Sequence, residues 1–355
     1  MTFGATFSAF AWAMAPALYS LMGGVGGALR AAVVYSDVWF AGAVLLWLFA
    51  FLSSLLRGGG DAATPGLYGV VASIVYVPLA AILALGIGPW PGLGLVGLAI
   101  AAMITTGANV LLLGRVLWRG RLGFVPAVAG VRLQRRMFVE ILRVGLLGSL
   151  TTLTANATAM VMAGFVGRFG VAALAGYGIG VRLEFMVSPI AFGIGTGLTT
   201  LVGIAAGAGA WRRAVRAAWV GGLFSFLVIG LMGWTVALMP EAWARLFTSD
   251  TAVVSSSVTY TTHVAPFYCL FGLALTLYFA SQGAGRMAAP TVAGVLRMAA
   301  TIGAGWLAVE KGLGLEGVFA AIAVGMAVYG GLMAGLLFFV PWRPVIPTEA
   351  ERSEA

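Results

Sequence analysis

Residues 57–65 read RGGGDAATP and close a long apolar run that begins at Tyr35. Residues 282–290 read QGAGRMAAP and close a second apolar run that begins at Tyr260. The two copies are separated by 225 positions throughout, without a gap. The matched positions are Gly58 with Gly283, Gly60 with Gly285, and Pro65 with Pro290. Self-similarity over this length indicates a repeated architecture, and it is the strongest clue to the fold.

A second pair of matching blocks follows the first in the same order. Residues 92–97 read GLGLVG, and residues 312–317 read GLGLEG. In a chain that spans a membrane, internal repeats are typical of secondary transporters, whose binding sites lie at the interface of the repeats.

The composition places the chain in a membrane. Hydrophobic residues make up 61% of the sequence and charged residues 9%, with a mean hydropathy of +1.03, whereas a soluble domain has about 25% charged residues. Ten apolar segments are each long enough to cross about 30 Å of hydrocarbon. We predict these spans at 3–21, 36–56, 67–88, 93–115, 143–165, 172–205, 217–239, 256–281, 288–308 and 316–340. We expect Pro189 and the glycines at 193, 195 and 197 to bend the long sixth span.

The net charge of +9 is concentrated in connections that fall on one side of the predicted spans. The arginines in or beside the connections after the fourth and sixth spans are Arg115, Arg119, Arg121, Arg132, Arg135, Arg136, Arg143, Arg212, Arg213 and Arg216. The loops on the opposite side carry few basic residues. The positive-inside rule therefore predicts that these connections and both termini are cytoplasmic. Basic cytoplasmic loops account for the charge, and we expect no nucleic-acid partner.

The sequence lacks the motifs of catalysis and metal binding. It contains no HExxH, no GxSxG and no Walker sequence, so we expect a protein that is not an enzyme. Its single cysteine, Cys269, lies inside an apolar span, which excludes a disulfide framework or a thiolate metal cluster. We expect neither a metal nor a cofactor.

The arginine-rich stretch separates two halves of unequal length. We place an N-terminal lobe of four spans at 1–118, a cytoplasmic linker at 119–142, a C-terminal lobe of six spans at 143–341 and a cytoplasmic tail at 342–355. An even number of spans per half predicts a parallel repeat. The first copy is shorter by roughly 90 residues, about two helices with their loops. We expect either an in-frame extension before Met1 or a remnant without two helices, and little or no efflux from the 355 residues alone.

The ordered series of motifs resembles the multidrug and toxic compound extrusion (MATE) family of efflux transporters. The resembling segments are 57–65, 92–97, 172–184 (AALAGYGIGVRLE), 201–209 (LVGIAAGAG) and 283–290. The family has twelve helices in two six-helix lobes, and this chain resembles the third to the twelfth. The resemblance implies cation-coupled export of drug-like compounds.

Charged residues inside predicted spans are functional candidates because they are rare and costly there. Glu184 and Arg297 both lie near the middle of their spans, and Arg182 lies two residues before Glu184 on a different helix face. One interpretation is a buried ion pair between Glu184 and an arginine that holds the lobe together. The other is a coupling site at which Glu184 exchanges a proton during transport.

Polar residues on the fifth and eighth spans complete the candidate set. Thr154 and Asn156 either form hydrogen bonds between helices or provide oxygen ligands for a cation or a substrate. Tyr260, His263 and Tyr268 are candidates to line a substrate cavity, although a structural role is the simpler interpretation of His263. The acidic residues that some family members carry near positions 156 and 271 are absent here. Their sodium site is therefore not expected, and the coupling ion, a proton or sodium, stays open.

We predict an all-α polytopic protein of the inner membrane that is monomeric and built as a two-lobe parallel repeat. Its predicted function is to export organic cations or drug-like amphiphiles by proton or sodium antiport, while the lobes alternate access. Its partners would be a small-molecule substrate and the lipid bilayer. Two alternatives stay open: a flippase for lipid-linked substrates, favoured by a wide basic cavity, and a non-transporting remnant.

Overall fold

A computed structural model of the chain describes residues 2–21, 26–87, 91–120 and 135–339. These described residues are helical apart from short turns, and no β-strand occurs among them. The all-α fold class is therefore confirmed. The predicted linker 119–142 lies largely outside the described residues, and the predicted tail 342–355 lies wholly outside them.

The chain divides into two compact units, Met1–Val131 and Arg132–Ala355. The described helices of the first unit are α1 (Thr2–Leu21), α2 (Gly26–Ala41), α3 (Ala43–Gly58), α4 (Ala63–Leu85) and α5 (Leu95–Trp118). Those of the second unit are α6 (Arg135–Gly167), α7 (Val171–Gly207), α8 (Trp211–Leu238), α9 (Pro240–Arg245), α10 (Thr251–Val264), α11 (Tyr268–Gly283), α12 (Ala288–Glu310) and α13 (Gly314–Phe339). The predicted lobe boundaries at 118 and 143 lie on either side of the division, and they stay a prediction.

The lengths and hydropathies of the helices fit a multi-pass membrane protein. Within the described residues, eight segments are long and apolar enough to cross a membrane, and the pair α2 and α3 makes a ninth if it is counted as one span. These correspond to nine of the ten predicted spans. The remaining prediction, 3–21, forms the helix α1 but is not among these segments, because polar residues and Pro16 interrupt its apolar sequence.

Two of the predicted spans are broken. The axes of α2 and α3 differ by 47° at Gly42, where an added Cβ would overlap the side chain of Met103. A 3₁₀ turn over Ala265–Phe267 joins α10 to α11, since Pro266 has no N–H to offer to the helix ladder. By contrast, α7 is a single helix with Pro189 inside it.

The repeat found in the sequence is present in the backbone. Helices α3 and α11 end at positions 58 and 283, and helices α4 and α12 are both 23 residues long. Between them, Gly60 and Gly285 have φ angles of +96° and +70°. Glycine adopts this left-handed conformation without a Cβ penalty, as the end of a helix often requires. Pro65 and Pro290 lie in the first turn of the next helix, where the missing N–H costs little.

Close contacts between helices repeat as well. An added Cβ at Gly97 would overlap the backbone at Leu83. In the second unit, an added Cβ at Gly317 would lie 3.1 Å from the Cβ of Ala308. Leu83 and Ala308 are themselves equivalent positions of the repeat. The hairpins α4–α5 and α12–α13 are therefore built to the same local plan.

Glycines on α7 allow α10 to approach closely in the second unit. The Cβ of a larger residue at Gly176 would lie 2.8 Å from the backbone nitrogen of Ser257. One turn later, a Cβ at Gly180 would overlap the ring of Tyr260. Small residues spaced four apart commonly permit such close packing in membranes. Their presence on α7 lets the fully buried Tyr260 lie directly against that helix.

Candidate functional site

Glu184 on α7 accepts a hydrogen bond from Tyr260 on α10. The Tyr260 hydroxyl lies 2.5 Å from Oε1 of Glu184 and 3.3 Å from the hydroxyl of Tyr268 on α11. Both tyrosines are fully buried, and Glu184 is half-buried. A hydroxyl that donates to an ionised carboxylate forms one of the stronger hydrogen bonds in proteins. The three side chains, here called the Glu184 network, join three helices through one carboxyl and two hydroxyl groups.

Aromatic rings surround the Glu184 network. The ring of Tyr177 lies edge-on to that of Tyr260, with centroids 5.6 Å apart, and stacks on Phe319 at 6.2 Å. Phe319 in turn lies 5.2 Å from Tyr260. Rings at these distances and angles attract one another and hold the ring of Tyr260 in place. Among the described side chains, Tyr260 is the one that donates a hydrogen bond to the carboxyl group of Glu184.

The two candidate arginines lie in different places. Arg182 is exposed, and its guanidinium lies 4.8 Å from the ring centroid of Phe247. Arg297 is half-buried on α12, within electrostatic range of Glu184. Among the residues that the structure describes, no ion pair joins either arginine to Glu184. The carboxyl group, for which an ion pair with an arginine was one of two interpretations, is hydrogen-bonded to a tyrosine.

A cavity of about 300 Å³ lies beside Arg297 in the second unit. One wall is the threonine face of α6, and aromatic residues of α11 and α13 form much of the rest. The polar and aromatic side chains that line the cavity are Thr151, Thr152, Thr154, Thr158, Phe192, Phe271, Tyr278, Phe279, Gln282, Arg297 and Tyr329. The cavity thus combines one cationic group with hydroxyl groups and rings.

The threonine hydroxyls of this wall donate hydrogen bonds to carbonyl groups of their own helix. Thr154 donates to the carbonyl of Thr151 at 2.8 Å, and Thr158 donates to the carbonyl of Thr154 at 2.7 Å. Thr151 donates to the carbonyl of Leu147 at 3.1 Å. A hydroxyl that donates to its own helix keeps lone pairs that can accept. The threonine wall can therefore accept hydrogen bonds from a ligand.

The first unit contains a larger cavity at repeat-related positions. It has a volume of about 980 Å³ and is lined by Gly69, Ala72 and Asn109, which match Gly294, Arg297 and Tyr329 of the second cavity. No charged side chain is among the described residues that line it. The indole N–H of Trp39, also in its wall, is buried without a hydrogen-bond partner. The two cavities therefore share positions but differ in charge.

The structure brings some of the predicted candidates together and separates others. Glu184, Tyr260 and Tyr268 meet, and Thr154 lines the cavity with Arg297. Asn156 is exposed, and its amide donates to the carbonyl of Thr152 on its own helix. It lies two residues from Thr154, and so on another face of α6. Nδ1 of His263 lies 2.8 Å from the carbonyl oxygen of Thr259, one turn away on its own helix.

Sequence reasoning missed the partners that complete the two sites. Both partners lie on α13: Phe319 packs against Tyr260, and Tyr329 packs against Arg297. Nothing in their spacing along the sequence indicates these two contacts. The place of Gln282 in the repeat could have identified it as a candidate site residue. It begins the repeated motif and is the repeat equivalent of Arg57, so a polar role at this position was readable from the alignment of the two copies.

The second unit matches a known family. The MatE family model matches residues 149–307, which include Glu184, Tyr260, Tyr268 and Arg297. The probable multidrug resistance protein NorM of Thermotoga maritima is 27% identical over 266 residues, which are 73% of this chain and 55% of that protein. The FAD transporter of Shewanella oneidensis is 28% identical over 244 residues, 67% of this chain and 52% of that protein. The chain thus spans a little over half the length of these curated relatives.

Solved structures share the fold. The Vibrio cholerae MATE transporter VcmN in its bent form matches 99% of this chain and 76% of that chain, with a TM-score of 0.83 and 20% sequence identity. At this identity the likeness concerns the fold alone. With the family model and the relatives, it confirms the resemblance of this chain to the MATE family.

Proposed function

We propose that this chain, which shares the MATE fold and the MatE domain, is a secondary active transporter that exports small amphiphilic molecules by cation antiport. The observation that carries the proposal is the Glu184 network, a titratable carboxyl group inside the membrane-spanning helices of the matched domain. Ionisable residues at membrane depth mark ion pathways and proton relays. In this proposal the two repeat-related units alternate access to the two sides of the membrane.

The geometry of the network favours a proton over sodium as the coupling ion. Tyr260 donates to Oε1 of Glu184, and a carboxyl group with one such donor keeps further lone pairs, of which a proton needs only one. Hard cations such as sodium take several oxygen ligands at once, whereas the Glu184 network contains a single carboxyl group. A proton requires only the carboxyl group itself.

A flippase for lipid-linked substrates is the weaker alternative. It would require a wide basic cavity, and the cavity of the second unit is basic through Arg297. Its volume of about 300 Å³ lies at the lower end of the range of small-molecule sites. A cavity of this size suits a small amphiphile better than a lipid-linked saccharide.

Export itself can be tested in cells. We expect cells that express the protein together with any in-frame extension before Met1 to accumulate less of a fluorescent probe than cells with an empty vector, and a protonophore to abolish the difference. Ethidium provides a cationic probe and fluorescein an anionic one, so the charge of the substrate is left open. Accumulation of both probes at the empty-vector level, with the protein present in the membrane, would contradict the proposal.

The predicted orientation of the chain can be tested by cysteine labelling. In a Cys269→Ala background, Ser249→Cys should react with a membrane-impermeant maleimide added outside intact cells, and Arg212→Cys should react only after permeabilisation. Ser249 is chosen over the neighbouring Asp250 because Asp250 caps α10. Its side chain accepts hydrogen bonds from the N–H groups of Ala252 and Val253, which a cysteine would not replace. The reverse labelling pattern would invert the proposed topology.

A further inference from the structure

We propose that the cavity of the second unit binds a small aromatic ligand through an anionic group that pairs with Arg297. The inference rests on the proposed function for its physiological meaning, since the ligand would belong to the class of molecules that are exported. It narrows that class to aromatic compounds with an acidic group.

The guanidinium of Arg297 presents N–H donors at the wall of the cavity. Its guanidinium lies 5.7 Å from the ring centroid of Phe271 and 5.4 Å from that of Tyr329, both of which also line the cavity. Within the described part of the chain, the guanidinium makes no hydrogen bond or ion pair. A guanidinium carries five N–H donors, in a geometry that suits a carboxylate. The rings hold the cation in place and leave those donors available.

The charge balance at the cavity favours an anion. No carboxylate is among the described residues that line it. Glu184 lies within electrostatic range of Arg297, and its negative charge would disfavour an anion there. Glu184 does not line the cavity, however, and its Oε1 accepts a hydrogen bond from Tyr260. The group in direct contact with a ligand would therefore be the cation.

The shared fold does not require an arginine at this position. The equivalent residue in the first unit is Ala72, which lines a cavity without a charged side chain among its described walls. The same helix hairpin therefore forms with alanine at that place. The arginine at this place is therefore a feature of this cavity and not a requirement of the shared hairpin.

The remaining walls define the rest of the ligand. Aromatic side chains offer surfaces on which a ring can stack, and the hydroxyls of Thr154 and Thr158 can accept a hydrogen bond from it. Gln282, also in the wall, has no side-chain hydrogen bond to any described residue. With a volume of about 300 Å³, the cavity fits a ring system of the size of indole with a short acidic side chain.

The test compares two probes that differ in charge and share a ring. Indole-3-acetate carries a carboxylate and tryptamine carries an ammonium group on the same indole. With the purified protein in detergent, we expect indole-3-acetate to bind in equilibrium dialysis and to raise the thermal unfolding temperature, and tryptamine to do neither. Arg297→Gln should weaken indole-3-acetate binding about 10- to 100-fold, the effect of losing a charged hydrogen-bond pair. Arg182→Gln, which removes an exposed arginine of the same unit, should leave binding unchanged.

Each alternative outcome overturns the inference. Equal or stronger binding of tryptamine would reverse the assigned charge of the ligand, and this comparison needs no mutation. Acetate that binds as tightly as indole-3-acetate would show a small-anion site without an aromatic ligand. Full binding by an Arg297→Gln variant that elutes as folded protein would place the anion elsewhere. Because these measurements need no transport, their failure is distinct from the absence of efflux in cells.

Discussion

Replacing Glu184 with glutamine will abolish pH-driven efflux and leave the amount of folded protein in the membrane close to that of the wild type. Glutamine has no titratable proton, so it cannot take part in proton exchange. Its side-chain carbonyl can still accept the hydrogen bond from Tyr260, which in the wild type is 2.5 Å long. The substitution therefore removes the proposed chemistry and keeps the contact between α7 and α10.

The measurement pairs the initial rate of efflux under an imposed pH gradient with the abundance of the protein in the same membranes. Glu241→Gln is the matched control, because Glu241 is an exposed carboxylate that pairs with Arg245 at 3.6 Å, and exposed pairs contribute only about 0–1 kcal/mol. An infrared difference spectrum of the purified protein adds a readout without transport: the band of a carboxyl group that titrates in the wild type should be missing in Glu184→Gln.

Other outcomes assign Glu184 a different role. If abundance and transport fall together, the carboxylate is structural. If both stay at wild-type values, Glu184 is not the coupling site. Tyr260→Phe removes the donor instead of the acceptor. We expect it to slow efflux and to shift its pH profile, a change that a merely structural tyrosine would not produce.

The helices and the repeat could be predicted from the sequence because both are local properties. Apolar length identified the spans, and the glycines at 60 and 285 identified the ends of α3 and α11. The bend at Gly42 could not be predicted in this way, and neither could the close contact that Met103 of another helix makes there. Hydropathy reports how long a segment is but does not report which neighbours lie against it.

The candidate site was predictable only as a set of residue types. Glu184 stood out because a carboxylate in an apolar span is costly, and an ion pair with an arginine was one of its two interpretations. The partner in the structure is Tyr260, 76 residues away, and this pairing depends on how α7 packs against α10. Asn156 shows the converse. Its position in a polar segment suggested a ligand, but the rotation of α6 places it away from the cavity that Thr154 lines.

Replacing Gly176 with valine will strain the contact between α7 and α10 and will destabilise the folded protein. An added Cβ at this position would lie 2.8 Å from the backbone nitrogen of Ser257 and 2.8 Å from the carbonyl oxygen of Val253. Backbone atoms of a packed helix cannot turn aside as the end of a flexible side chain can. Overpacking of this kind costs about 1–3 kcal/mol or more, and the helix that moves is the one that carries Tyr260.

Gly178→Val provides a control in the same helix. Gly178 is exposed, and a Cβ there would meet no atom within 4 Å. Both substitutions change helix propensity in the same way, so any difference between them reports the contact with α10. We expect Gly176→Val to lower the apparent melting temperature of the purified protein by about 5–10 °C and Gly178→Val to leave it within error. Equal melting temperatures for the two variants would show that α7 and α10 do not meet at Gly176, and the placement of Tyr260 beside Glu184 would lose its structural basis.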